Sequence, residues 1–212
     1  MKYFTSSTYQ LKIYNKGVGR IVTPEFLDNL GNGLLGSNPS KNTVLHLVSK
    51  IGNVASVEYI LAKDPSQINC LNSDMETPAY VAAREGREDI LRFMINYLKK
   101  ENKDIESIFT RSIDGQSALH IAIQKHHLEV VFLLIKKIPK LANRINESKE
   151  SPLYLAAEEG YFGVVELMLK KCGEISFEGS NGKTALHAAA ISNSAGMFEL
   201  SQFYINYDIL NA

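Results

Sequence analysis

Ser151-Pro-Leu-Tyr-Leu-Ala-Ala-Glu-Glu-Gly160 decides the fold, because its features recur along the chain. A Ser or Thr before a short apolar run suits a helix N-cap, where the hydroxyl accepts an orphan backbone N–H. Pro152 stands at the first helical position, where its missing N–H does no harm. Ala156 and Ala157 keep the helix thin enough to press against neighbours. Gly160 ends it, since glycine takes positive φ without a clash. The same four opening positions read Thr43-Val-Leu-His46, Thr77-Pro-Ala-Tyr80, Ser117-Ala-Leu-His120 and Thr184-Ala-Leu-His187 elsewhere. In chain order the steps between copies are 34, 40, 34 and 33 residues. Nine residues after each opening Ser or Thr stand Gly52, Gly86, His126, Gly160 and Asn193. Self-similarity at this period is the mark of a stacked repeat array.

A second apolar stretch follows the turn in the first four copies: Val57–Leu61, Leu91–Ile95, Val131–Ile135 and Val165–Leu169. Its apolar positions recur at helical spacing. Each unit is therefore a helix–turn–helix of about 33 residues. One such pair cannot bury its own apolar face, so the copies must stack. The fold class is all-α, a solenoid of four full repeats and a partial fifth.

The resulting segmentation places repeats at 40–73, 74–113, 114–147 and 148–180, with a partial or degenerate fifth at 181–212. Residues 1–39 lie outside the repeat. Within them Pro24–Leu30 reads as a short helix that caps the first repeat, ended by Gly31. The 40-residue step holds an insertion near 99–107, a charged stretch expected as a solvated loop or an extended helix. At the far end, Phe198, Leu200, Phe203, Tyr204, Ile205, Tyr207, Ile209 and Leu210 are expected to pack in part as a closing element.

Composition narrows function. Lys and Arg number 23 and so do Asp and Glu, a balance that argues against nucleic acid as the main partner. A local basic face, such as Lys136, Lys137 and Lys140, remains open. Cys70 and Cys172 lie in no CxxC or His-rich context and read as free thiols. Lys2 is followed by no apolar signal-peptide core. The longest apolar run, Val130–Ile135, is far short of the ~18 residues that span a bilayer.

Catalytic motifs are missing. Gly31-Asn-Gly33 lacks the lysine and the strand–helix context of a phosphate loop. Neither GxSxG nor HExxH nor an EF-hand loop occurs. Cys172 follows Lys170 and Lys171, which would lower a thiol pKa, but no partner base is identifiable. His126-His127 falls on a turn, where adjacent residues rarely face one metal. The reading is of a non-enzyme with no cofactor and no small-molecule substrate.

The recurring tetrapeptide resembles the T-P-L-H signature of the ankyrin repeat, over roughly residues 40 to 200. Asp114-Gly115 and Asn181-Gly182 match that family's turn dipeptide in the β-turn finger before the first helix. Met75 follows Asp74, and Glu147-Ser-Lys-Glu150 contains no Gly, so those two fingers are expected to be less regular. The resemblance implies a structural role for His46, His120 and His187, bonding the Ser or Thr hydroxyl and nearby backbone. It also implies binding of an unidentified protein on the concave side. The contact candidates on that reading are Asp74, Met75, Glu76, Asp114, Gln116, Lys149, Asn181 and Lys183 in the fingers. Arg84, Gln124, Lys125, Glu158 and Glu159 on the first helices join them.

Ser117–Val131, Ser151–Gly160, Gly182–Ala189 and Lys41-Asn-Thr-Val-Leu-His46 further resemble plant membrane-anchored ankyrin proteins of the accelerated-cell-death type. There a longer array precedes a PGG-containing transmembrane block. That resemblance implies a regulatory role tied to defence or cell death. The present chain lacks such a block and leaves the pattern within its fifth repeat. The expectation is a cytoplasmic interaction protein. Its alternative is a truncated fragment of the anchored form, lying at the cytoplasmic face of a membrane and competing for partners.

Overall fold

A computed structural model describes residues 40–110, 112–173 and 175–192. The cap helix expected at 24–30 and the apolar tail after Asn193 lie outside them. Among the described residues the chain forms nine α-helices and no strand. They run α1 (Val44–Ile51), α2 (Val54–Lys63), α3 (Pro78–Arg84), α4 (Glu88–Lys100), α5 (Ala118–Gln124), α6 (Leu128–Lys137), α7 (Pro152–Glu158), α8 (Phe162–Lys171) and α9 (Ala185–Ile191). Short 3₁₀ turns at Pro65–Asn69, Glu106–Phe109 and Pro139–Asn143 follow α2, α4 and α6. The helices make two layers. The first helices α1, α3, α5, α7 and α9 pack in series, as do the second helices α2, α4, α6 and α8.

Each first helix begins where the N-cap reading placed it. Thr77 Oγ1 and Ser151 Oγ accept the N–H of Tyr80 and Tyr154, both at 3.1 Å. Thr43, Ser117 and Thr184 cap through a box closed by the histidine three residues on. The end is equally regular. Gly52, Gly86 and Gly160 adopt φ of 89°, 69° and 71°, and His126 occupies the same slot at 59°. The inner first helices are buried nearly all round: Pro78 to Ala83 and Pro152 to Ala157 are all interior. A residue larger than alanine at Ala82, Ala83, Ala156 or Ala157 would push neighbours apart, which explains the small side chains there.

Second helices are amphipathic. In α4, Ile90, Leu91, Met94, Ile95 and Leu98 are buried, while Arg92, Asn96 and Lys99 face out. The insertion appears here: α4 has 13 residues against 10 in α2, α6 and α8. Beyond it the chain turns through Asn102 at φ 51° and buries Ile108 and Phe109 under the array.

Candidate functional site

Between helix pairs the chain forms hairpin-like fingers, and backbone bonds tie each to the one before. Ser73 N donates to Ser40 O at 2.9 Å, Ile113 N to Asp74 O at 2.9 Å, and Glu147 N to Asp114 O at 3.1 Å. The residue two before each cap is left-handed: Lys41 (φ 55°), Met75 (59°), Gly115 (66°), Lys149 (65°) and Gly182 (71°). The Met75 and Lys149 fingers thus make the same left-handed turn as the Gly115 finger, correcting the expectation that they are less regular. An asparagine braces each of them, where the Gly115 finger has Ser112 Oγ accepting from Gln116 N at 2.9 Å. Asn72 Oδ1 accepts from Asp74 N and Glu76 N, both at 2.9 Å, and its Nδ2 donates to Glu76 Oε2 at 2.8 Å. Asn146 repeats this with Glu150, accepting its N–H at 2.9 Å and donating to Oε2 at 3.1 Å. The signal was present in the sequence as Asn-x-x-x-Glu directly before the cap at both places.

The same brace changes the standing of one contact candidate. Glu76 is 5% exposed, held by Asn72 and by an ion pair from Arg84. It is a corrected assignment: a carboxylate that braces its own finger is not open to a partner. Arg84 is half-buried by the same pair. Asp74, Met75, Asp114, Lys149, Asn181 and Lys183 stand exposed on the fingers. Lys125, Glu158 and Glu159 are exposed at the ends of first helices, with Gln116 and Gln124 partly so. Two apolar side chains share this face, Met75 at 45% exposure and Ile113 at 60%. Ile113 opens the finger stretch Ile113 to Gln116 that repeat phase marks for contact, but the sequence alone does not show that its side chain stands exposed.

The histidines join one finger to the next. Thr43 N donates to His46 Nδ1 at 3.1 Å, which leaves the proton on Nε2 to reach Glu76 O at 3.0 Å. His120 does the same from Ser117 N to Glu150 O, at 3.1 and 3.0 Å. Burial is the main cause that lowers both pKa values, opposed by the carbonyl bond; His120 is brought to about 4. Each imidazole is therefore a neutral strut. Where tyrosine replaces histidine the hydroxyl reaches further. Tyr80 OH donates to Gln116 Oε1 at 3.4 Å, and Tyr154 OH lies 3.4 Å from Ser180 Oγ. Burial pushes the Tyr80 phenol up to about 12.

The remaining titratable groups are dispersed. His126 Nδ1 meets Tyr161 OH, whereas His127 Nε2 donates to Arg84 O at 3.0 Å, so the two rings serve different neighbours. Among the described residues no group of three or more His, Cys, Asp or Glu could hold a metal. Burial pushes the Cys172 thiol up to about 11, against the lowering its lysine neighbours suggested. No helix among the described residues is long and apolar enough to cross a membrane.

Comparison with known proteins gives the same architecture. The family described as "Ankyrin repeats (3 copies)" matches residues 24–107, 45–144, 94–178 and 138–208. Target of rapamycin complex 2 subunit AVO2 of Saccharomyces cerevisiae is 23% identical over 64% of this chain and 31% of its own length. Transient receptor potential cation channel subfamily A member 1 of Drosophila melanogaster is 29% identical over 69% of this chain and 12% of its own. The B-cell lymphoma 3 protein homolog of Mus musculus is 24% identical over 72% of this chain and 33% of its own. The chain spans a third or less of the length of these relatives. With the family pattern covering most of its residues and the stacked helix pairs and fingers that go with it, this chain belongs to the ankyrin-repeat family.

Proposed function

We propose that the chain is a non-catalytic protein-interaction module that works through its fingers and the exposed ends of its first helices. The observation that carries this reading is the pairing of Met75 and Ile113 on adjacent fingers. They are large, apolar and exposed; Ile113 N bonds to Asp74 O, and the exposed Asp74 and Asp114 adjoin them. An apolar centre with a polar rim is the pattern of a protein interface. The fingers beneath are already locked by backbone rungs and Asn–Glu braces, so binding sacrifices little loop freedom. A double variant Met75→Asp, Ile113→Asp tests it by affinity capture from extracts of the source cells, quantified by mass spectrometry. Partners of wild type should be lost, while Glu58→Lys, on the exposed side of α2, keeps them. An unchanged partner set would contradict the reading.

A second reading places this array within a larger signalling protein, regulatory in defence or cell death as in the plant proteins it resembles. The small share of each relative that the chain spans favours the larger protein, and the defence or cell-death role rests on the resemblance alone. Sequencing full-length transcripts tests it. A frame that continues into apolar spans supports it, and a stop after Ala212 counts against it.

A further inference from the structure

The charge along the second helices is not distributed evenly. Lys99 and Lys100 close α4, Lys136 and Lys137 close α6, and Lys170 and Lys171 close α8. These helices pack side by side; Lys136-Lys137 and Lys170-Lys171 hold equivalent positions at the ends of ten-residue helices, and Lys99-Lys100 stand about one turn further along the longer α4. All six lysines are exposed. A cation at a helix C-terminus offsets the macrodipole. A pair on each of three neighbours exceeds that role and adds mutual repulsion. Among the described residues no carboxylate lies within ion-pair distance of Lys99, Lys100, Lys136 or Lys137.

Beside these helix ends the surface is indented. A recess of about 610 Å³ is lined by Glu106, Pro139, Lys140, Asn143, Arg144 and Gly173. Its wall at Glu106 comes from the segment after the lengthened α4. Glu106 reaches across the recess to pair with Arg144, 38 residues away. The group that already engages a cation of this recess is therefore a carboxylate. Its side chain is 22% exposed and that of Arg144 51%, so an incoming group can compete for the guanidinium.

We propose that this edge, from Lys136 through Lys140 and Arg144 to Lys171, is a second docking surface, for an acidic peptide segment. Aspartate and glutamate side chains would lie along the lysine row, and one carboxylate would displace Glu106 from Arg144. Charge complementarity names the acidic partner, and the Glu106 carboxylate selects its chemistry. A flat bilayer surface does not enter a recess. A single-stranded polynucleotide is held by stacking on exposed rings, and none of the large exposed apolar side chains among the described residues is aromatic.

Fluorescence anisotropy with a labelled twelve-residue glutamate peptide tests the proposal on the full chain. Wild type should bind, and binding should weaken steeply between low and physiological salt. Lys136→Glu, Lys137→Glu, Lys140→Glu together should weaken it at least tenfold. Lys125→Glu, Lys149→Glu, Lys183→Glu, with the same charge change on the finger side, should stay within threefold. Glu106→Gln should tighten binding severalfold, because it removes the internal competitor. These variants are exposed or half-exposed, and circular dichroism confirms their folding. Equal losses in both triple variants would overturn the proposal, as would no binding by wild type or weaker binding by Glu106→Gln. Tighter association with phosphatidylserine vesicles or with polyuridylate than with the peptide would overturn the choice of partner. None of these results depends on the finger face, which the Met75 and Ile113 variant tests separately.

Discussion

A neutral histidine bridging two repeats makes stability depend on pH in a calculable direction. His120 falls to about 4 in the folded chain from a reference of 6.5. Between those values the unfolded chain binds more protons, so its strut is fully effective above pH 6.5 and is lost as pH falls toward 4. The contribution is on the order of 3 kcal/mol. His46 acts in the same direction. We predict that urea denaturation shows a steeper loss of stability from pH 7 to pH 4 in wild type than in His120→Gln. Parallel profiles would contradict the neutral strut. Two glycines give a contrasting pair. A Cβ on Gly179 would run into the Tyr154 ring, which is itself buried. Gly179→Ala should therefore cost more than about 1 kcal/mol through overpacking. On Gly163 in α8 a Cβ meets nothing within 4 Å, so Gly163→Ala should stabilise by roughly 0.5–1 kcal/mol. Thermal melts of both variants check the opposite signs.

At the scale of elements, stacking supplies the core and braces hold the fingers. Leu153 is fully buried in α7 between its neighbours, so Leu153→Ala should cost ~2–5 kcal/mol. Glu101 is exposed just beyond α4, and Glu101→Ala should change stability by under ~0.5 kcal/mol. Equal melting temperatures for the two would refute the repeat register. Asn146→Ala removes the partner of both the Glu150 N–H and its carboxylate, and should cost about 1–3 kcal/mol by chemical denaturation. A neutral result would show that Lys149 holds its left-handed turn unaided. The helices were legible from sequence because caps, glycines and apolar spacing recur in phase. The finger brace was not, although Asn72 and Asn146 each stand four residues before a glutamate. The Asn-x-x-x-Glu pattern stands before only two of the caps, with Ser112 at the matching place between them, so it does not announce itself as part of the repeat. For the same reason Glu76 read as a surface charge.

Across the whole molecule, order passes only between neighbours. Helices stack on helices, fingers bond to fingers, and each His strut reaches one repeat ahead. Stability in such an array is close to a sum of repeat and nearest-neighbour interface contributions. Sequence phase located the finger face but not what is special on it. The exposed Ile113 belongs to no family motif, and its role depends on lying beside Met75 of the preceding finger. The acid–base pairing of Glu106 with Arg144 was equally hidden, since it joins segments that only stacking brings together. The central claim is that the finger face meets a protein. Its most direct test is photocrosslinking, with a benzophenone amino acid at Ile113 and, in a second chain, at Glu58, exposed on α2. In extracts of the source cells the account predicts a discrete protein adduct from position 113 and none from position 58. No adduct at 113, or the same adducts from both positions, would contradict it.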